Sequence, residues 1–436
     1  MNERVAAAAS FLPEPKRRCQ QVAEALDNCK IVIWLFPRHI SPNRAVSAAV
    51  EMSSESLAHK TLSLNQEHGL PGEYIKAGLE LTFQHSLDAD VKPQQILEHI
   101  QNLDLLVIKG IDLLSRKVLE LWAVFVNEWA RVARARQARG DFPVSLLIPS
   151  QNAYLRQLVD EDVNLSLYWY WGWLGELEMQ LLAREYVREI GPFGTDSDLL
   201  WLESSALGLA GFDAELLFWL LHKGESAGDV EDLVALLKAY GTRRRQWSGE
   251  NMSTLKGIVN GSGYWQHEGD KPYPSKNLED LWSNGVLDWQ ARQGVVVHSS
   301  AIALAGDTLE LQHRIWREHA RVLLPILDRT RLDVCRFLSR SFTEWRGYCE
   351  SRAEGYLDHG ELLDGGWEPV AEFTGILEFL DTTRQNHLSW RRFRDLIYSA
   401  RHARNRLAHY TPLSKAQFIT ILEQVKQLQS FIESGL

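Results

Sequence analysis

Three short apolar segments punctuate the first 150 residues, from Ile31 to Phe36 (IVIWLF), from Leu103 to Ile108 (LDLLVI) and from Pro143 to Pro149 (PVSLLIP). Each segment is a short, mainly apolar run rich in Val, Ile and Leu, which is typical of parallel strands that are buried on both faces. A helix-like stretch that carries many arginines, from about Ser115 to Arg139, separates the last two. This alternation of strand and helix predicts a three-layer α/β domain over residues 1–150.

The middle of the chain, residues 151–307, has a mostly helical pattern over residues 151–255, which is followed by a loop rich in Gly, Ser and Pro at 256–275. We expect the aromatic run YWYWGW, from Tyr168 to Trp173, to pack in a buried junction, although a binding platform is the alternative. The sequence LEDLWSNGVLDWQ and the following GVVVHSS indicate a short helix and a hairpin. This arrangement suggests a winged-helix-like module, which could bind DNA or act as a spacer. The lack of a basic run in the module favours the spacer.

The last segment, residues 308–436, predicts a bundle of four helices at roughly 308–350, 368–384, 388–409 and 414–433. Gly365 and Gly366 interrupt the pattern, and Pro412 separates the final two helices. Ser414 with Gln417 three residues later is a capping-box pattern for the last helix. The chain as a whole is therefore expected to be a multi-domain, mostly α-helical protein with an α/β domain at its N-terminus.

Composition narrows the classes of protein that fit. A chain of 436 residues with a net charge of −10 is expected to hold several domains, and any nucleic-acid site on it must be local. The four cysteines form no C-x-x-C pair, so neither a zinc ribbon nor a redox motif is predicted, and we expect no metal and no cofactor. The low cysteine count fits the cytoplasm. The apolar stretch at residues 5–12 is expected to be a tail, and no run is long enough to predict a membrane-spanning helix.

The residues after the first predicted strand, PRHISPNR from Pro37 to Arg44, occupy the place of a phosphate-binding loop. Phosphate-binding loops have the motif G-x-x-x-x-G-K-[ST]. Relative to this motif, Pro37 and Pro42 stand at the positions of the glycines, Asn43 at that of the lysine and Arg44 at that of the Ser or Thr. After the second predicted strand, Lys109 and Asp112 lie at the two acidic positions of a strand–D-G-h-D pattern.

These positions and the order of the strands resemble the P-loop NTPase core of the STAND and AAA-like families, over about 120 residues. Proline lacks an N–H group and cannot help to cradle phosphate, and a cation at Lys109 opposes magnesium binding. The resemblance therefore implies a degenerate NTPase-like domain, retained as a scaffold or partner sensor, in which ATP hydrolysis is not expected. An unrelated α/β domain is the alternative.

The string RNRLAH, from Arg404 to His409, carries the clearest chemistry in the sequence. An arginine can bind phosphate, a histidine can transfer a proton, and Asn405 can orient either group, which together suit metal-independent RNA cleavage. With the following Tyr410 and the PLS sequence, the string resembles the motif of HEPN domains, which are helical bundles of toxins, antiphage effectors and RNA-processing proteins. The resemblance implies Arg404, Asn405 and His409 as catalytic residues, and a composite site at a two-fold interface. Arg404 and His409 would be about 140° apart on an ideal helix, which fits such a site.

The segment from Arg384 to His409 is strongly basic, with seven arginines and one acidic residue. Its net charge of +6 predicts an attraction to a polyanion that depends strongly on salt. The predicted RNA-binding residues are the basic and aromatic side chains around the motif: Arg391, Arg392, Arg394, Arg401, Arg406, Trp390 and Tyr410. The alternative is that this arginine-rich helix pairs with acidic surfaces of the same protein or of a partner.

Two functions remain open from the sequence. The first is an RNA-cleaving effector of a bacterial antiphage or conflict system, which acts as a homodimer or hetero-oligomer and is restrained by its NTPase-like domain or by a partner protein. The second is a non-enzymatic adaptor that binds partner proteins through both end domains. A third, weaker hypothesis is a DNA-binding regulator, for which the run Arg243, Arg244 and Arg245 is the local support.

Overall fold

The computed structural model describes residues 12–53, 58–65, 70–83, 90–160, 164–190, 194–249, 273–290, 294–353, 360–363, 366–383 and 388–434. The predicted N-terminal tail up to residue 11, the loop predicted at 256–275 up to residue 272, Gly365 and Arg384 lie outside these ranges. In the described parts, the chain divides into two compact units. The first unit draws on Met1–Leu182, Phe212–Glu215 and Thr254–His298, and the second on Ala183–Gly211, Leu216–Ser253 and Ser299–Leu436. The predicted middle segment, 151–307, contributes to both units.

A five-stranded sheet forms the centre of the first unit. Its strands are β1 (Ile31–Leu35), β2 (His59–Ser63), β3 (Leu105–Lys109), β4 (Ser145–Ser150) and β5 (Leu165–Trp169). All neighbouring pairs are parallel, in the order β2-β3-β4-β1-β5. The three predicted strands are confirmed as β1, β3 and β4. The two outer strands were not predicted, and β5 takes up the first part of the aromatic run at 168–173.

The helices up to residue 243 are α1 (Pro13–Asp27), α2 (Asn43–Met52), α3 (Pro71–Gly78), α4 (Pro93–His99), α5 (Arg116–Gln137), α6 (Leu155–Leu158), α7 (Glu176–Ile190), α8 (Asp196–Ala210), α9 (Ala214–Lys223) and α10 (Val230–Arg243). Alternate residues of β1, Ile31 and Ile33, share an apolar core with Trp122 and Trp129 of α5. On the first helix, Leu26 accepts a hydrogen bond through its carbonyl oxygen from the Ser145 hydroxyl of β4 (2.7 Å). Helices therefore cover the sheet, and the predicted α/β architecture is confirmed.

The remaining helices are α11 (Glu279–Ser283), α12 (Ser299–Ala305), α13 (Thr308–Ser341), α14 (Glu344–Ala353), α15 (Phe373–Thr382), α16 (Leu388–Ala408) and α17 (Lys415–Ser434). Two antiparallel hairpins lie between them, β6 (Leu287–Gln290) with β7 (Gly294–Val297), and β8 (Gly360–Leu363) with β9 (Gly366–Pro369). Within the described residues, no helix is both long enough and apolar enough to cross a membrane.

The short helix and hairpin predicted in the middle segment are present as α11, β6 and β7. Their apolar residues Leu278, Trp282, Leu287 and Val295 belong to the core that also holds the parallel sheet. These elements therefore belong to the core of the first unit.

The long helix α13 organises the second unit, since it packs against α8, α16 and α17. The helix predicted at 308–350 is divided in two, and the predicted helix at 368–384 begins later because β9 occupies its first residues. The last two helices agree with the prediction to within one residue at each end. The predicted capping box is confirmed, because the Ser414 N–H donates to Gln417 Oε1 (3.1 Å) and the Gln417 N–H donates to Ser414 Oγ (3.4 Å).

The arginine run of the DNA-binding hypothesis lies at the end of α10. Arg244 lies over the ring of Trp219 at 5.7 Å, and Arg245 lies over the ring of Tyr240 at 5.6 Å. Two of the three guanidinium groups therefore pack on aromatic rings of their own unit, which weakens the support that the run gives to DNA binding.

Candidate functional site

The loop that would hold phosphate in an NTPase connects β1 to α2, at the carboxyl edge of the parallel sheet. In open α/β sheets this edge, at the point where successive connections run in opposite directions, is the usual place of a ligand. Here β1 lies between β4 and β5, so its loop adjoins the residues that follow β4. The position expected for a binding loop is therefore retained.

The hydrogen bonds of this loop differ from those of a phosphate cradle. The side-chain amide of Gln151, just after β4, donates to the carbonyl oxygens of Arg38 (3.0 Å) and Ile40 (2.7 Å). The Arg38 N–H donates to the Ser283 carbonyl (2.8 Å), and the Ile40 N–H donates to the Pro37 carbonyl (3.0 Å). A cradle needs several backbone N–H groups that converge on the anion. In this loop two of them are already used and carbonyl oxygens are held by Gln151, so the loop is closed by its own neighbours.

The residues at the two altered motif positions contact each other. The Lys109 ammonium at the end of β3 donates to Asn43 Oδ1 at the start of α2 (3.1 Å). Asp112 accepts from the Ser150 hydroxyl (2.5 Å) and from the Gln151 N–H (2.8 Å) through the same oxygen, Oδ1. The side chains of Asn43, Lys109 and Asp112, which stand at the positions that would serve phosphate and magnesium in an active NTPase, are thus hydrogen-bonded to neighbours at the ends of β3 and β4.

A cavity of about 550 Å³ lies beside this loop. Its described lining includes the carboxyl groups of Asp112, Glu279 and Asp280, but only one guanidinium group, that of Arg38. Glu279 is in turn ion-paired with Arg156. Carboxyl groups repel a triphosphate, so the charged residues of this lining do not favour a nucleotide.

The C-terminal motif lies at the end of helix α16. The helix ends at Ala408, so Arg404 and Asn405 are in its last turn and His409 is in the turn that follows. The His409 N–H is shared between the carbonyl oxygens of Asn405 (3.2 Å) and Arg406 (3.1 Å). The next residue, Tyr410, has a positive φ of 60°, which is unusual for a bulky side chain. A change of backbone direction therefore places His409 beyond the helix that carries the arginine.

Side chains of α8 and α13 hold the backbone on both sides of His409. Trp316 donates from Nε1 to the Leu407 carbonyl (2.6 Å), and its ring centroid lies 4.5 Å from that of Tyr410. After the turn, the Leu413 N–H donates to His319 Nδ1 (3.3 Å) and the Leu413 carbonyl accepts from Trp201 Nε1 (3.3 Å). The segment that carries His409 is therefore fixed at two points of its backbone.

His319 is a structural residue of this clamp. It is fully buried, and its burial lowers the pKa to about 3, so the ring is neutral at physiological pH. Because Nδ1 accepts from Leu413, the ring hydrogen must lie on Nε2, which is 3.0 Å from the Ser205 hydroxyl. The tautomer is thus set by the backbone that it supports.

The side chains of the motif itself face solvent. Arg404 is about half exposed, and its nearest acidic partner is Glu372, at 3.9 Å and 64% exposed, a weak contact. His409 is exposed and Asn405 is partly exposed. Within the described residues no hydrogen bond joins the side chains of Arg404, Asn405 and His409. One chain thus presents the three groups on a fixed backbone without assembling them into a closed site.

The predicted RNA-binding residues fall into different environments. Arg391 is exposed and Arg406 is partly exposed, Arg392 contacts Gln427 at 3.5 Å, and Arg394 forms a two-pronged ion pair with Asp381 (2.6 and 3.1 Å). Hydrogen bonding from Arg394 lowers the pKa of the Asp381 carboxyl. Arg401, one turn before Arg404 and Asn405, has a buried Nε without a hydrogen-bond partner in the described structure.

Trp390 is a correction to the predicted set. Its side chain is 8% exposed and packs against Phe337, Phe342 and Phe393. A base could not reach its face, so Trp390 belongs to the core of the second unit. Tyr410 is 66% exposed and remains open for stacking.

Sequence reasoning missed the residues that support the motif. His313, Trp316 and His319 recur every three residues on α13, and His313 lies 6.3 Å from Tyr410 between ring centroids. This spacing of aromatic and imidazole groups in HRIWREH is visible in the sequence. The contact of these residues with a segment about 90 residues later is not visible in the sequence.

Comparison with known proteins gives limited information. No family model matches the chain, and no curated protein matches it. Among solved structures, Cdc6p from Pyrobaculum aerophilum is similar with 15% identity and a TM-score of 0.32, over 70% of this chain and 95% of that one. The ORC2 protein of Aeropyrum pernix, in ADPNP-ADP complexes, is similar with 12% identity and a TM-score of 0.27, over 68% of this chain and 94% of that one.

Proposed function

We propose that this chain is a metal-independent endoribonuclease in which Arg404, Asn405 and His409 act on the scissile phosphate. The observation that carries the proposal is the combination of exposed motif side chains with a backbone fixed on both sides of His409. A catalytic group needs a firm support and access to substrate, and this arrangement offers both. A role in a bacterial defence system, with RNA as target and a protein partner as regulator, is part of the proposal.

The proposed reaction uses the RNA's own nucleophile. The 2′-hydroxyl oxygen attacks the adjacent phosphorus while the bond from phosphorus to the 5′-oxygen breaks, which gives a 2′,3′-cyclic phosphate and a 5′-hydroxyl end. His409 transfers the proton, Arg404 binds the phosphate oxygens as charge builds up on them, and Asn405 orients these groups. Atoms and charge balance without water or metal in this step.

One chain supplies one histidine of the motif, whereas the reaction both removes a proton and delivers one. A second copy, related by two-fold symmetry, would supply a second histidine and a second arginine. The lack of hydrogen bonds between the three motif side chains in one chain supports such a composite site. Cleavage per chain is therefore expected to fall on dilution, as dimers dissociate.

The test compares the wild-type protein with His409→Ala on a fluorescent RNA in the presence of EDTA. The matched control is His402→Ala. His402 is exposed like His409, but it lies within α16 and outside the motif. We expect cleavage by the wild type and by His402→Ala, and none by His409→Ala with unchanged circular dichroism. Equal cleavage by all three proteins would refute the assignment.

A non-enzymatic adaptor is the second candidate, and the closed loop of the first unit favours it. If Gln151 and Ser283 hold the loop shut, the first unit serves as a scaffold for a partner without a nucleotide cycle. This candidate predicts no RNA cleavage at any protein concentration, and partner binding that is the same for wild type and His409→Ala. A co-purification of both proteins with their partner separates the two functions.

A further inference from the structure

A second cavity, of about 440 Å³, lies within the first unit. Six of its lining residues are aromatic: Trp34, Tyr168, Trp169, Trp173, Tyr273 and Trp289. Two more, Arg17 and Arg18 of α1, are the only charged residues among its described lining. The volume is within the range of roughly 300–1,000 Å³ that is usual for small-molecule sites.

We propose that this cavity binds a planar aromatic molecule that carries an anionic group, such as a nucleoside monophosphate. Aromatic walls favour a flat ring by stacking, and guanidinium groups favour a phosphate or carboxylate. A cationic ligand is disfavoured because the described lining has no carboxyl group. This cavity differs in charge from the one beside the closed loop, whose described charged lining residues are three carboxyl groups and one guanidinium group.

The two arginines are held in place but keep donors for a ligand. Arg17 uses Nε and Nη2 to bind Glu14 (2.8 and 2.5 Å), and Arg18 uses Nε to bind the same carboxylate (2.8 Å). A guanidinium group has five N–H donors, so each arginine retains others. Glu14 thus fixes the orientation of both side chains, of which Arg18 is the less exposed, at 17%.

The aromatic wall is also built by specific contacts. Asp288 accepts from the backbone N–H of Gly172 (2.9 Å) and of Trp289 (2.8 Å), so it ties the segment before Trp173 to the β6 strand. Gly172 has a φ of 63°, and a Cβ there would lie 2.6 Å from the Trp289 ring. A glycine is therefore required for the Trp289 ring to lie against this segment.

Another wall is supported by a cation. The Arg156 guanidinium lies 5.4 Å from the ring centroid of Trp169 and 5.2 Å from that of Tyr273. Arg156 is also ion-paired with Glu279, which keeps it in place. The two rings are thus positioned by a fixed guanidinium group.

The test is calorimetric titration of the full-length protein with AMP, with adenosine and ribose 5-phosphate as probes that lack the anion or the ring. We expect AMP to bind, and each fragment to bind at least roughly tenfold more weakly, because either the charged hydrogen bonds or the stacking is lost. A 5′-phosphorylated dinucleotide distinguishes the sources of the ligand. Binding as tight as that of AMP would indicate the end of a nucleic acid, and weaker binding a free mononucleotide.

Two variants locate the binding. Arg18→Gln and Trp289→Leu should each weaken AMP roughly tenfold, whereas Arg116→Gln, which removes an arginine that lies over Tyr154 outside the cavity, should not. Circular dichroism checks that each variant is folded. The proposal is overturned if AMP does not bind or if adenosine binds equally well. It is also overturned if Arg18→Gln and Trp289→Leu both bind AMP like the wild type.

Discussion

The ammonium group of Lys109 lies 3.1 Å from Oδ1 of Asn43, so two residues predicted to stand at altered NTPase motif positions are hydrogen-bonded to each other. In an active P-loop protein, a lysine would stand at the position of Asn43 and an aspartate at the position of Lys109. Here the cation stands at the end of β3, and the amide oxygen of Asn43 at the start of α2 accepts a hydrogen bond from it.

Restoring the lysine in the loop should therefore destabilise the first unit. Asn43→Lys would place a second ammonium group beside Lys109, and repulsion between the two charges should lower the free energy of unfolding relative to Asn43→Ala. We expect a difference of only about 0.5 kcal/mol, because the contact is exposed to solvent. Adding Lys109→Asp should remove this difference. Urea unfolding of the three variants measures the effect, and equal stability of Asn43→Lys and Asn43→Ala would contradict it.

Tyr410 is predicted to bind a base next to the scissile phosphate. Its ring is exposed, rests on Trp316 and is held by a strained backbone, a combination that often marks a functional residue. Tyr410→Ala should weaken RNA binding by roughly tenfold, since stacking of one base contributes about 1–3 kcal/mol.

The matched control for this change is Tyr398→Ala, because Tyr398 is an exposed tyrosine of α16 that lies outside the motif. Fluorescence anisotropy of labelled RNA with the His409→Ala protein as background avoids cleavage during the measurement. Equal losses from the two tyrosine variants would show that Tyr410 has no special part in RNA binding.

The second unit should lose stability in acid through His319. Its pKa is lowered to about 3 in the folded state by burial, whereas the unfolded chain takes up a proton near the ordinary value of 6.5. The stabilisation is complete above pH 6.5 and is lost as the pH falls towards 3, by an amount on the order of 4 kcal/mol.

His319→Asn should flatten this dependence, because an amide oxygen can accept the Leu413 N–H without titrating. Guanidinium unfolding at pH 7 and pH 5, with fluorescence and circular dichroism as readouts, compares the two slopes. An equally steep decrease in the variant would assign the acid sensitivity to other groups.

The first unit should show the opposite dependence through Asp288. Burial raises its pKa to about 7, against the hydrogen bonds from Gly172 and Trp289, which lower it. Between the ordinary value of 3.8 and pH 7 the folded state holds a proton that the unfolded state has released, so stability decreases as the pH rises through this range.

Asp288→Asn keeps an oxygen for the two backbone donors and removes the charge. We expect the variant to gain stability relative to wild type as the pH rises from 4 to 7, and the gain to level off above pH 7. Thermal unfolding across this range measures the difference, and a constant difference at all pH values would contradict it.

The sequence predicted the strands whose burial is complete, and missed those whose burial is not. β1 and β4 are fully buried and read as continuous apolar runs, whereas β2 is largely exposed and has the polar sequence HKTLS. β5 was hidden in the aromatic run, which was interpreted as a junction. An edge strand lacks the two-sided burial that makes a parallel strand recognisable.

The sequence predicts the motif because its residues are close together along the chain. It does not predict the side chains that support the motif, Trp201, Trp316 and His319, because these are far from it in sequence. The misplacement of Trp390 had a local cause. Trp390, Phe393 and Ile397 form an apolar stripe at helical spacing, which predicts a buried face.

The most direct measurement is the chemical analysis of RNA ends after incubation with the purified protein in EDTA, beside His409→Ala. The account predicts fragments with 2′,3′-cyclic phosphate and 5′-hydroxyl ends from the wild type, and intact RNA from the variant. Intact RNA in both reactions over a wide range of protein concentration, or the same fragments in both, would contradict the assignment of cleavage to His409.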